Sequence, residues 1–226
     1  MRQAVLAHHA YGGYMEILLP LITLAGVQLL AVISPGQSFI VVSKLALSSG
    51  RRSALGAALG MGAGSVIWAM SAIAGLAFIL EKAAWLYGLM KLAGGLYLLF
   101  LAFKLWKHAP ERPDLSAGSG RYVTPRQAFT LGLVTQLANP KVVVFFGSIF
   151  FALLPASSAP WVYVASLVIV FCNETGWYGF VSMFFSTART QLVYFRAKTW
   201  IDRIMAGALG VIGIGLAMDA RETLAR

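Results

Sequence analysis

The chain has 226 residues, of which 59% are hydrophobic and 12% charged, with a mean hydropathy of +0.76. A soluble domain carries about 25% charged residues, and no soluble core of this length hides so much apolar surface, so a soluble globular protein is excluded. The net charge of +10 comes from basic residues in short gaps between apolar runs, the pattern of membrane topology signals and not of a nucleic-acid stripe.

Residues 17–43 and 142–173 carry no charge, and each stretch exceeds the ~20 residues a helix needs to cross a bilayer. The expected architecture is all-α: a polytopic membrane protein with six transmembrane helices. Residues 1–15 lack a long apolar core and a small-residue cleavage site, so they read as a tail and not as a signal peptide. Span one covers about 17–49 and breaks at Ser34-Pro35-Gly36; span two covers about 53–80; span three covers about 84–106. Pro110, Pro113, Gly118, Ser119 and Gly120 then break any regular pattern between His108 and Thr124, the one linker. Span four covers about 127–154 and breaks at Asn139-Pro140; spans five and six cover about 160–187 and 200–218.

Twelve of the 18 Lys and Arg fall on one side of this arrangement, in the loops after spans one, three and five. Positive loops stay cytoplasmic, which places both termini outside. Pro35 and Pro140 lie 105 residues apart, about half the chain. Three spans per half give the halves opposite orientation, so residues 1–107 and 126–226 read as two inverted three-helix repeats joined by a cytoplasmic linker at 108–125. Paired broken helices in corresponding positions point to a transport site at the bilayer midplane; the plainer alternative is two structural kinks.

The breaks have a chemistry of their own. Proline donates no hydrogen bond and disfavours helix in the residue before it. Ser34 and Asn139 are expected to cap helices that start at Pro35 and Pro140, aiming open N–H groups and a partial positive charge at a carboxylate. Gly36 permits close approach, and Gln37 and Ser38 add polar contacts. Glu174 sits beside Asn173 in span five, with no other charge between Lys141 and Arg189. A carboxylate at the bilayer centre costs about 2.5–3.5 kcal/mol on insertion scales and marks an ion or substrate path by default; a structural hydrogen bond is the bland alternative. Lys141 opposes the dipole of its own helix, so it needs a partner, either Glu174 or a bound carboxylate.

Other residues read as structure. Lys91 is placed to snorkel to the outer face, and Asp202 and Arg203 to serve at the interface or in gating. Gly56, Gly60 and Gly64 line one helix face for tight packing, within the subunit or in a homodimer; Gly207, Gly210, Gly213 and Gly215 read the same way. Trp68, Trp161, Trp177 and Trp200 are belt or packing residues, of which Trp68 and Trp177 lie deep enough to line a cavity. The lone Cys172 reads as a small packing residue and fits no CxxC pattern. No HExxH or GxSxG occurs, and only Cys172 and Glu174 qualify as buried metal ligands, so neither an enzyme nor a metal site is expected.

At these residues the chain resembles the lysine-exporter superfamily of amino-acid exporters (LysE/RhtB). The matching segments are Ser34-Pro35-Gly36, Gly56 with Gly60 and Gly64, Gly94-Gly95-Leu96-Tyr97-Leu98 and Leu137-Ala138-Asn139-Pro140-Lys141. Leu80-Glu81-Lys82 with Trp85-Leu86, Phe146-Gly147-Ser148 and Trp200-Ile201-Asp202 look most like the threonine/homoserine branch. The resemblance implies efflux of small amino acids across the inner membrane, driven by proton antiport and without a cofactor. The family's first break runs Pro-Gly-Pro followed by Asp or Asn, whereas Pro35-Gly36-Gln37-Ser38 here lacks the second proline and the acid. On this reading the substrate carboxylate meets Lys141 and the helix starts at Pro35 and Pro140. Its ammonium meets Glu174, the proton-coupling residue, and Asn173, Gln37 and Ser38 lend polar contacts. An uncoupled channel and a membrane scaffold are the rival classes.

Overall fold

The computed structural model describes residues 2–82, 84–111, 122–154, 158–185 and 188–224. Among them the protein is all-helical: α1 (Arg2–Ile33), α2 (Gln37–Ser48), α3 (Arg51–Lys82), α4 (Ala84–His108), α5 (Pro125–Leu137), α6 (Pro140–Leu153), α7 (Pro160–Phe184) and α8 (Ala188–Leu224). Among the described residues, four helices are long and apolar enough to cross a bilayer, and the count reaches six when each of two bent pairs is one span. The pairs are α1 with α2, bent by 58°, and α5 with α6, bent by 61°. This is a polytopic membrane protein. Leu19, Ile22, Phe100, Phe103, Val164, Val211 and Met218 stand exposed on its outside, apolar side chains that suit lipid and not water.

Local chemistry explains most helix ends. Thr124 caps α5 in a capping box with Gln127, followed by Pro125 at the first helical position. Pro160 opens α7 in the same way. Gly50, at φ +84°, turns the chain from α2 into α3, a left-handed conformation only glycine adopts freely. Two readings of the ends change. The supposed tail is helical, since α1 begins at Arg2, and α8 extends beyond 200–218 at both ends.

The glycines of α3 hold α5 within the same chain. A Cβ on Gly56 or Gly60 would overlap the carbonyl oxygen of Pro125 or Phe129, and one on Gly132 that of Ala57. Gly95 and Gly213 bring α4 and α8 together likewise, but Gly207 and Gly215 face open space and pack against nothing. One apolar core gathers Leu24, Leu98, Phe146, Phe150, Met205 and Leu209. A second gathers Phe39, Val42, Met61, Val181, Phe185 and Phe195, where the Phe39 ring meets those of Phe185 and Phe195 edge-on at 5.6 and 5.7 Å. That contact anchors the short α2 against α7 and α8.

The Lys91 side chain is 11% exposed and forms an ion pair with Asp219 of α8, whose side chain is 55% exposed. Trp161 and Trp200 are exposed, as belt residues are. Cys172 is exposed and packs no interior; it shares a shallow outer groove with Leu29, Asn173, Gly176, Trp177 and Phe180.

Candidate functional site

Glu174 is only 4% exposed, and three other helices supply its surroundings. Its Oε1 accepts hydrogen bonds from Ser65 Oγ of α3 at 2.9 Å and from Gln136 Nε2 of α5 at 3.0 Å. Gln136 Nε2 also donates to Ser65 Oγ at 2.7 Å, and Gln136 Oε1 accepts from Ser38 Oγ of α2 at 2.8 Å. The absence of a side chain at Gly64 lets the Gln136 stem lie against α3 and reach this network. Glu174 Oε2, by contrast, is buried without a partner. A carboxylate held by one oxygen and bare at the other is ready for a cation or a proton.

The two breaks prove chemically unequal. At the second, Asn139 caps α6 as expected: its Oδ1 accepts from Lys141 N at 3.1 Å, while its carbonyl accepts from Val142 N and Val143 N at 3.0 and 3.3 Å. Pro140 has no N–H, so the start of α6 offers no open donor. At the first break the expected cap is absent. The α1 ladder ends with Ser34 N donating to Leu30 O at 3.1 Å, and that of α2 begins with Ile40 N donating to Gly36 O at 3.1 Å. Helix α2 starts at Gln37 and not at Pro35; Gly36 precedes it in an extended conformation, and no side chain caps it. The N–H groups of Gln37 and Ser38 therefore point out of an uncapped helix start.

Ser34 fails as a cap because its hydroxyl is used elsewhere. It donates to Asp202 Oδ1 at 2.6 Å, and Asp202 Oδ2 accepts from Lys198 Nζ at 2.6 Å. An ionised acceptor makes the stronger bond. The Lys198 ammonium also donates to His108 O and Ala109 O at 3.1 and 3.2 Å, closing the C-terminal end of α4. Asp202 is 3% exposed, and the salt bridge it makes with Lys198 is a buried one. Arg203 lies near Trp106 and Trp200, 5.4 and 5.9 Å from the ring centroids.

Lys141 does not pair with Glu174. Its Nζ donates to Ala31 O at 3.2 Å, one of the last carbonyls of α1, where a cation satisfies an orphan acceptor and suits the helix dipole. That contact supplies the partner its position demands.

A cavity of about 280 Å³ opens between these groups. Among the predicted site residues, Ser34, Gly36, Gln37, Ser38, Asn139, Pro140, Lys141 and Glu174 line it; Pro35 and Asn173 do not. Asn173 points away, with Nδ2 donating to Ala25 O at 3.0 Å. Trp68 and Trp177 are not part of the lining either. Gln28, Lys104, Gln136, Phe145, Phe146 and Tyr178 are also part of the wall. Sequence reasoning missed Gln28, Ser65 and Gln136, although each is a polar residue inside an apolar run. It also missed Lys198 and the burial of Asp202. Among the described residues no group of three or more His, Cys, Asp or Glu gathers to hold a metal ion.

Residues 15–220 match the LysE type translocator family. The chain belongs to that family. The translocator is 32% identical over 208 residues to the threonine efflux protein of Escherichia coli strain K12, covering 90% of this chain and 100% of the relative. It is 31% identical over 202 residues to the threonine efflux protein of Salmonella typhi, covering 87% and 97%. It is 27% identical over 195 residues to the membrane protein YahN of Escherichia coli strain K12, covering 86% and 87%. No solved structure matches the translocator. It is a transporter and not an enzyme.

Proposed function

We propose that this translocator exports small amino acids of the threonine and homoserine kind from the cytoplasm, coupled to inward movement of protons. The observation that carries this reading is the unpartnered Oε2 of Glu174, a residue that lines the cavity together with Lys104 and Lys141. The substrate ammonium meets that oxygen. Its carboxylate meets the uncapped start of α2 at Gln37 and Ser38, with Lys141 nearby; α6 contributes its cation and not its N–H groups. At about 280 Å³ the cavity lies below the range of about 300–1,000 Å³ that serves drug-sized ligands, which fits a small amino acid. The names of the threonine efflux relatives point the same way.

Glu174 serves as the proton carrier because protonation and substrate binding compete for one oxygen. Each proton that moves inward down 100 mV releases about 2.3 kcal/mol. That sustains a substrate gradient of about 1.7 decades before any pH term. Alternating exposure comes from residues 1–107 and 126–226 acting as inverted halves around the linker 108–125, with the linker cytoplasmic and both termini outside the inner membrane. Reporter fusions at Gly118 and at the C-terminus should then read opposite sides, and a cytoplasmic C-terminus would remove the inversion.

The deciding experiment is flux in proteoliposomes loaded with a panel of labelled amino acids, with and without a pH gradient. We expect saturable threonine and homoserine flux that the gradient accelerates. Flux that neither saturates nor responds to the gradient would indicate a channel, and no flux of any amino acid would indicate a scaffold.

A further inference from the structure

Gln28 is the least explained polar residue of the interior. It lies on α1, is 1% exposed, and lines the central cavity. Both polar atoms of its side chain, Nε2 and Oε1, are buried without a hydrogen-bond partner. A buried amide left unpaired is costly, and native proteins rarely leave one so. One helical turn further along α1, Ala31 holds the Lys141 ammonium and Val32 also lines the cavity. Glu174 lines the same space from α7, and its Oε2 is likewise unpartnered.

We infer that the Gln28 carboxamide recognises a hydroxyl group on the side chain of the transported amino acid. A hydroxyl both donates and accepts, so one such group receives a bond from Gln28 Nε2 and gives one to Gln28 Oε1. A methyl group of the same size does neither and leaves both amide atoms unpaired. The inference rests on the proposed amino-acid export and adds to it the residue that selects the side chain. Glu174 and the start of α2 address groups common to all amino acids. Neither distinguishes threonine from valine, its near-isostere; Gln28 does.

The test compares threonine with valine in counterflow through proteoliposomes, for the wild-type protein and for Gln28→Leu and Gln28→Met. Both variants replace the carboxamide with an apolar side chain of similar size, and size-exclusion profiles report whether each folds. We expect the wild type to prefer threonine over valine by about tenfold or more, because the wrong substrate strands a buried amide. In whichever variant folds, the threonine-over-valine preference should fall to about twofold or less. Amino-acid flux that fails to separate threonine from valine in the wild type overturns the role of Gln28 and leaves the export reading intact. So does a folded variant that keeps the wild-type preference, the result expected if only water fills the amide's hydrogen bonds. Absence of all amino-acid flux overturns both.

Discussion

Glu174→Gln should fold to the wild-type yield and lose about 100-fold or more of its export rate. The substituted carboxamide oxygen can keep both bonds that hold the native Oε1, from Ser65 Oγ at 2.9 Å and Gln136 Nε2 at 3.0 Å. Its NH₂ group then takes the place of Oε2, which has no protein partner to lose. The fold is thus spared while the site changes sign. A donor would then face the proposed substrate ammonium in place of a carboxylate, and losing one member of a buried charge pair costs about 2–5 kcal/mol. Glu174→Asp, which keeps the charge but shortens its reach, should retain part of the rate. The measurements are initial counterflow rates beside size-exclusion yields. If Glu174→Gln exports at the wild-type rate with the same response to a pH gradient, Glu174 neither binds the ammonium nor carries the proton.

The sequence made the six spans legible because the apolar runs and their breaks are one-dimensional signals. Pro35 and Pro140 each disrupt the helix that leads into them, and the bends appear where they sit. The glycines of α3 were likewise readable as a packing face, since a spacing of four needs no knowledge of the partner. What did not show was how each polar group spends its hydrogen bonds. Ser34 and Asn139 precede prolines in the same way, yet only Asn139 caps its helix; Ser34 is drawn to Asp202, 168 residues away in sequence. Lys141 and Glu174 looked like natural partners because each was a lone charge in an apolar run. The carbonyl of Ala31 provides for one, and Ser65 with Gln136 for the other. A backbone carbonyl exposed by a helix end leaves no trace in a residue string. Gln28 and Gln136 were visible as polar residues but carried no charge to draw notice, and it is the close approach of α5 to α3 at Gly64 that brings Gln136 beside Glu174.

The largest effect on folding is expected from Asp202→Leu. Lys198 and Asp202 form an ion pair one turn apart on α8, with side chains only 8% and 4% exposed. Their order, cation before anion along the helix, is the less favourable one for such a pair on an exposed surface, so it is the tertiary contacts that hold it. The aspartate ties α8 to the break after α1 through Ser34, and the lysine ties it to the end of α4 through His108 and Ala109. Removing Asp202 leaves the Lys198 ammonium buried with two carbonyls and no counter-charge, a loss of typically about 3–5 kcal/mol. The folded yield in detergent should collapse, and the midpoint of thermal unfolding should drop. Adding Lys198→Met removes the stranded charge, and the double variant should recover most of the yield, since an apolar pair in place of a buried ion pair is often close to neutral. Its transport should still differ from wild type, because Ser34 has lost the acceptor that fixes the break beside the cavity. A single Asp202→Leu variant that unfolds at the wild-type temperature, with the double variant less stable, would show that the pair does not hold these three segments together.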